Sequence, residues 1–251
     1  MMPGYLVAAA VAGLLTILTY ALGYRRSARR YDIIVEVPTV QARDVPGLGA
    51  AMVEVKGRAL VDEPLTSDLA RLPCVAFDCQ VTEHWTTTRT KRDSKGHTRI
   101  VTEHHSETRY ANSGRISFQV EDDSGRVTVQ PDGASVDMLD GLALADIRKP
   151  LPDSPAYGLC PHHLCGHLSY HEQIFPVGQQ AYVLGQVSID HDIVRPEAVS
   201  RPFIISHHDE AVLVHRARWG KRVYGAMMFL LFAAAFVLLG LGLGIIREWW
   251  D

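Results

Sequence analysis

Residues 223–246, VYGAMMFLLFAAAFVLLGLGLGII, contain no charged side chain. A helix rising about 1.5 Å per residue needs roughly 20 apolar residues to cross the hydrocarbon of a bilayer, and this run meets that length. A second apolar run, residues 5–24, lies near the other end of the chain. Two such runs predict two membrane spans, with everything from Arg25 to Arg222 forming a loop tied to the bilayer at both ends. Function is then expected in that loop.

The distribution of charge gives the loop a side. Arg25, Arg26, Arg29 and Arg30 follow the first run, and Arg216, Arg218, Lys221 and Arg222 precede the second. Basic residues beside spans are retained on the cytoplasmic side, so the loop is expected there and both termini outside. Trp219, Trp249 and Trp250 stand at the ends of the second run, where interfacial rings are favoured. A cleaved signal peptide is the alternative for residues 5–24, but its basic residues come after the apolar stretch rather than before it. In a cytoplasmic loop the four cysteines, Cys74, Cys79, Cys160 and Cys165, are expected to be reduced. The net charge of −3, with the cations gathered beside the spans, argues against a nucleic-acid partner.

The loop is the size of one ordinary domain. Residues 25–48 read as a juxtamembrane linker, broken by Pro38 and by Pro46 with Gly47. Residues 49–215 carry short period-two stretches separated by Gly, Pro and Asp turns, the signature of strands. Val53 and Val55 alternate with Glu54 and Lys56; Val75, Phe77, Cys79 and Val81 share one face, with Cys74 on the other. Residues 85–110 read as a long polar hairpin breaking at Asp93 to Gly96, and a second hairpin turns at Asp122 to Gly125. Residues 139–147 are expected to make one or two helical turns, after which Pro150, Pro152 and Pro155 prevent regular structure. The fold class is therefore two transmembrane α-helices flanking one β-rich, barrel-like or sandwich-like domain.

A set of short words recurs along this domain: VEVKG at 53–57, PLTS at 64–67, LPCV at 72–75, Phe118, DSG at 123–125, PDGA at 131–134, YVLG at 182–185 and PFIIS at 202–206. In this order between two spans, from about Gly49 onward, the set resembles the GIDE domain, also called the BAM (beside a membrane) domain. That domain is the membrane-proximal part of MULAN-type mitochondrial RING E3 ubiquitin ligases and of related prokaryotic proteins. The resemblance implies an architecture of span, β-rich domain, span, and a link to ubiquitin-protein transfer in which this domain meets substrates and regulators. The ligases place a RING after their second span, whereas this sequence reaches Asp251 a few residues past it. A RING needs about eight Cys and His ligands in paired spacings for two zinc ions, and no such series occurs here. The expectation is a short, prokaryotic-type form in a cytoplasmic membrane, without autonomous ligase activity.

Two clusters could carry chemistry. Cys160, His162, His163, Cys165 and His167, with His171 close behind, offer the thiolates and imidazoles that zinc prefers. Four residues separate the two cysteines where tight zinc knuckles use two, so a cofactor is not required by the sequence, and zinc is the one it could take. Arg89, Lys91, Arg92, Lys95 and Arg99, interspersed with His97, His104 and His105, could meet anionic headgroups or an acidic partner. Alternatively they keep an exposed ribbon from aggregating. Ser206, His207, His208 and Asp209 are neighbours in sequence, so their side chains are expected to diverge, and no G-x-S-x-G elbow or phosphate-binding G-x-x-x-x-G-K-[ST] loop occurs.

The sequence thus reads as an integral, multi-pass membrane protein acting as a binding or scaffold module, with the bilayer and other membrane or ubiquitin-pathway-like proteins as partners. One alternative is a ligase-related protein needing a separate RING chain; a second is a zinc or thiol sensor centred on Cys160 to His167.

Overall fold

The computed structural model describes residues 3–92, 98–149, 151, 153–155, 157, 159, 166–198 and 200–243. It divides into a helical unit, formed by Met1–Pro38 with Asp209–Asp251, and a β-rich unit, Thr39–His208.

In the helical unit, α1 (Pro3–Thr19) passes through a π-helical turn, Tyr20–Tyr24, directly into α2 (Arg25–Glu36). The partner helix α3 spans Glu210–Leu243. The stretches Gly4–Glu36 and Glu210–Leu243 are both long and apolar enough to cross a membrane. Ile17, Phe229, Phe232 and Phe236 are 64–71% exposed on the pair, an arrangement that lipid accommodates and water penalises at about 25 cal/mol per Å². The helices meet closely at Gly23, where an added Cβ would collide with the Tyr224 ring. The first part of the expected juxtamembrane linker is helical: Arg25 to Glu36 contains neither Gly nor Pro, so helix simply propagates. It stops where Pro38 forces Val37 into the extended region, at φ −78° and ψ 122°. Cations of α3 pack on this extension, with Arg218 and Lys221 lying 5.6 and 5.4 Å from the centre of the Tyr31 ring.

Among the described residues the β-rich unit forms two sheets. In the first, β1 (Met52–Leu60) pairs with β5 (Phe118–Asp122), which forms a hairpin with β6 (Gly125–Val129). β6 joins β11 (Ile193–Val194), β11 joins β10 (Gln180–Val187), and β10 returns to β1, closing five strands into a barrel. β12 (Ile204–Ser206) and β7 (Ser135–Asp137) extend the sheet from β10. Val55, Val120, Val129, Val183 and Ile193 fill the barrel, and Ala42 and Val45, from a 3₁₀ turn at Ala42–Gly47, also pack into this core. This confirms the β-rich fold expected from alternation.

The second sheet contains β2 (Leu65–Thr66), β3 (Pro73–Arg92), β4 (Thr98–Arg115), β9 (Gly166–Pro176) and β8 (Leu139–Ile147). Residues 139–147 are therefore a strand and not the expected helical turns. Their pairing with β9 is irregular at Gly141 and near Asp146, which sits at φ 59°, and those breaks erase the period-two signal. A register shift between Cys74 and Ala76 likewise corrects the expectation for the cysteines. The extra residue turns Cys74 to the side of Phe77 and Cys79, and both thiols share one buried cluster with Ile174.

The segment between β2 and β3 lies over this face, held by polar groups that the sheet buries. Glu172 of β9 is fully buried, and its two carboxylate oxygens accept hydrogen bonds from the backbone N–H groups of Leu69 (2.8 Å) and Ala70 (2.7 Å). Charge-assisted bonds of this kind are the strong ones. Glu172→Gln keeps one acceptor but turns an NH₂ toward a backbone N–H, so it should destabilise the chain by about 2–3 kcal/mol. Denaturant unfolding in detergent, followed by far-UV circular dichroism, measures this loss; wild-type stability would refute the clasp.

Candidate functional site

β9 ends its pairing with β3 at Trp85, opposite Gly166. Beyond that row, among the described residues, β3 and β4 pair only with each other, from Thr86↔His104 out to Arg92↔Thr98. The expected long hairpin is thus a two-stranded ribbon extending from the four-stranded part of the sheet. Arg89, Arg92 and Arg99 are exposed on it, while Lys95 lies outside the described residues. The ribbon is not uniformly basic: Glu103 stands 3.9 Å from Arg89 and 3.4 Å from Lys91. At its base Arg109 spans Glu83 and Glu107, both at 2.8 Å, and lies 5.6 Å from the Trp85 ring.

Where β9 begins, imidazoles gather. His167, in register with His84, stacks on it at 4.9 Å, and His105 stacks on Trp85 at 5.4 Å. His84, Trp85, Thr86, His104, His105 and His167 line a cavity of about 310 Å³. Of the predicted metal ligands only His167 is described, with Nε2 3.5 Å from Asp146 Oδ1; Cys160, His162, His163 and Cys165 lie outside the described residues. His84 carried no local signal, because its partner is set by the pairing of strands distant in sequence.

A second cluster forms where β12 runs parallel to β7, with Ser206 opposite Asp137. Ser206 Oγ donates to Asp137 Oδ2 at 3.0 Å and accepts from the backbone N–H of His208 at 3.0 Å. His207 Nδ1 lies 2.9 Å from the Asp137 carbonyl oxygen, and His208 Nε2 lies 3.8 Å from Asp137 Oδ2. The sequence expectation that neighbouring side chains diverge does not hold for the two histidines, whose ring centroids are 3.8 Å apart and tilted by 54°. The extended chain ends at Ser206, so alternation no longer separates them. Ser206 is buried and gives its proton to a carboxylate, which is not the posture of a hydrolytic nucleophile. Asp137, 69 positions away from Ser206, was invisible to motif reading.

The described thiols are chemically quiet. Burial, reinforced by the nearby carboxylates of Glu172 and Asp68, pushes the Cys74 thiol up to about 11; burial and Asp68 push Cys79 up to about 12. Burial alone would also raise the Asp68 carboxyl, but hydrogen bonds from Asn112, Tyr110 and Cys79, together with the Arg71 charge, hold it below the usual range. Tyr110, which donates that bond at 2.7 Å, is pushed up to about 12.

The family model described as "GIDE: E3 Ubiquitin ligase" matches residues 86–241. The match starts on β3 and extends into α3, so the words at 53–57, 64–67 and 72–75 precede it. No curated protein and no solved structure matches the chain.

Two predictions follow from the thiols and Asp68. Because thiolate is the reactive form, iodoacetamide at pH 8 should leave Cys74 and Cys79 unmodified in the folded chain and label both after denaturation, as read by peptide mass spectrometry. Labelling of either in the folded chain would show that the sheet face is open. A carboxylate whose folded pKa is depressed contributes stability above its unfolded value of about 3.9, and that contribution is lost as pH falls through the folded value. Asp68→Asn should therefore destabilise by about 1–3 kcal/mol at pH 7 and by progressively less below pH 4, in parallel denaturation series.

Proposed function

The chain belongs to the GIDE family, and from that premise we propose that it is a membrane-anchored binding module, its β-rich unit held beside the bilayer by a helix at each end. The observation that supports this best is the pair of lipid-compatible helices bracketing the β-rich unit in the chain. Tethering raises the effective concentration of that unit toward neighbouring membrane proteins, so weak contacts suffice for recruitment. In this reading the basic residues on α2 and the first turns of α3 keep the unit on the cytoplasmic side. The ribbon beyond Trp85, whose strands carry Arg89, Arg92 and Arg99, is the element that reaches partners or anionic headgroups.

The family description favours a second reading, in which the chain serves ubiquitin or ubiquitin-like transfer. These 251 residues hold four cysteines and no paired RING ligand series, so in this reading recruitment of a charged carrier enzyme would come from outside them.

Cross-linking capture from native membranes tests these readings, comparing the full chain with one in which residues 86–104 are replaced by a tight turn. That cut leaves the pairing of β3 with β9 intact. The binding reading expects membrane proteins retained by the parent and lost, or reduced at least fivefold, with the folded shortened chain. Equal retention by both chains would remove the ribbon from the proposal, and ubiquitin conjugates formed by the purified chain supplied with activating enzyme, carrier enzyme and ATP but no other ligase would overturn the non-catalytic reading. For orientation, Arg89→Cys in a chain with Cys160 and Cys165 changed to Ser should react with an impermeant thiol reagent only after cells are opened.

A further inference from the structure

We propose that Asp137, His207 and His208 form a binding site for a divalent transition metal, with zinc the best fit to the donors. One carboxylate oxygen and two imidazole nitrogens here all lie within 4.8 Å of one another. Ligands at 2.0–2.2 Å around a tetrahedral ion stand roughly 3.3–3.6 Å apart, so side-chain rotations of about an ångström complete the site without moving a strand.

One hydrogen bond also leaves His207 ready to act as a ligand. The Asp137 carbonyl can only accept a hydrogen bond, so the imidazole proton of His207 sits on Nδ1 and the lone pair is left on Nε2. A histidine that ligates metal through one nitrogen while giving its other N–H to a backbone carbonyl is the usual arrangement around bound ions. Asp137 is steadied in turn by the Ser206 hydroxyl, itself anchored by the His208 backbone N–H. The parallel pairing of Ser206 with Asp137 brings the carboxylate to the two rings. The three residues are half-buried, with side-chain exposures of 36% for Asp137 and 26% for His208, so an ion can enter from solvent and keep water or an outside donor as its fourth ligand.

Two imidazoles and one carboxylate suit zinc and its first-row neighbours, whereas magnesium and calcium require oxygen donors. The ion would clamp the end of β7 to the residues that follow β12. This site shares no residue with the Cys160 to His167 stretch, which supplies thiolates.

The test uses the purified full-length chain in lipid nanodiscs, stripped with a chelator and titrated calorimetrically with Zn²⁺ alone. The parent should bind one equivalent with Kd of about 1 µM or tighter. Asp137→Asn and His208→Gln should each weaken binding at least tenfold, and Ser206→Ala by about 10–100-fold, the usual effect of removing a group that orients a ligand. A chain with Cys160 and Cys165 changed to Ser and His162 and His163 changed to Ala should bind as the parent does. Co²⁺ in place of Zn²⁺ should give visible absorption without a thiolate charge-transfer band. Far-UV circular dichroism of the stripped variants shows that they are folded; if Asp137→Asn is not, His208→Gln decides. Binding weaker than about 100 µM, equal binding by a folded His208→Gln chain, or a thiolate band lost with the two cysteines would overturn the assignment.

Discussion

Strand β10 uses both of its edges, and the β-rich unit depends on that. Along one edge it pairs with β1 from Met52↔Gln186 to Arg58↔Gln180; along the other it takes β12 and β11. Every backbone group of a buried strand needs a partner, and closing the barrel satisfies them without leaving an open edge at β1. The close approach this requires explains two glycines. At Gly57 a side chain would strike the Glu121 carbonyl of β5, and at Gly185 it would press on Ile193 at 2.6 Å and Phe203 at 2.9 Å.

The same saturation rule governs the buried carboxylates. Glu54 accepts from Tyr182 and Thr39 and pairs with Lys56; Glu83 pairs with Arg109; Glu172 takes two backbone N–H groups. Each tyrosine, arginine or loop amide named here is brought to its carboxylate by strand pairing or by a loop laid across the sheet. These groups specify how segments lie on one another more than they add net stability, since the desolvation of each carboxylate offsets much of its attraction.

Family membership and local geometry bear on different questions. The GIDE match places the chain in a context of ubiquitin transfer, while the apolar helices supply the membrane association on which the binding reading rests. Neither bears on the Asp137, His207 and His208 cluster, which arises from parallel pairing of two three-residue strands. A function belongs to the site that performs it, and the fold by itself does not assign one.

The sequence by itself determined the elements whose physics is local. Uncharged apolar runs of sufficient length specify the two long helices, alternation marks β1, and Asp122 to Gly125 specifies a tight hairpin because those residues accept that turn geometry. Only the tertiary structure decided where local signals cancel or partners are remote. Residues 139–147 become a strand because β9 supplies their hydrogen bonds despite two irregularities, and Cys74 joins Cys79 because one bulged residue reverses its face. Asp137 meets His207 and His208 only through strand pairing across 69 to 71 positions, and no window of sequence contains the hydrogen bonds that bring them together.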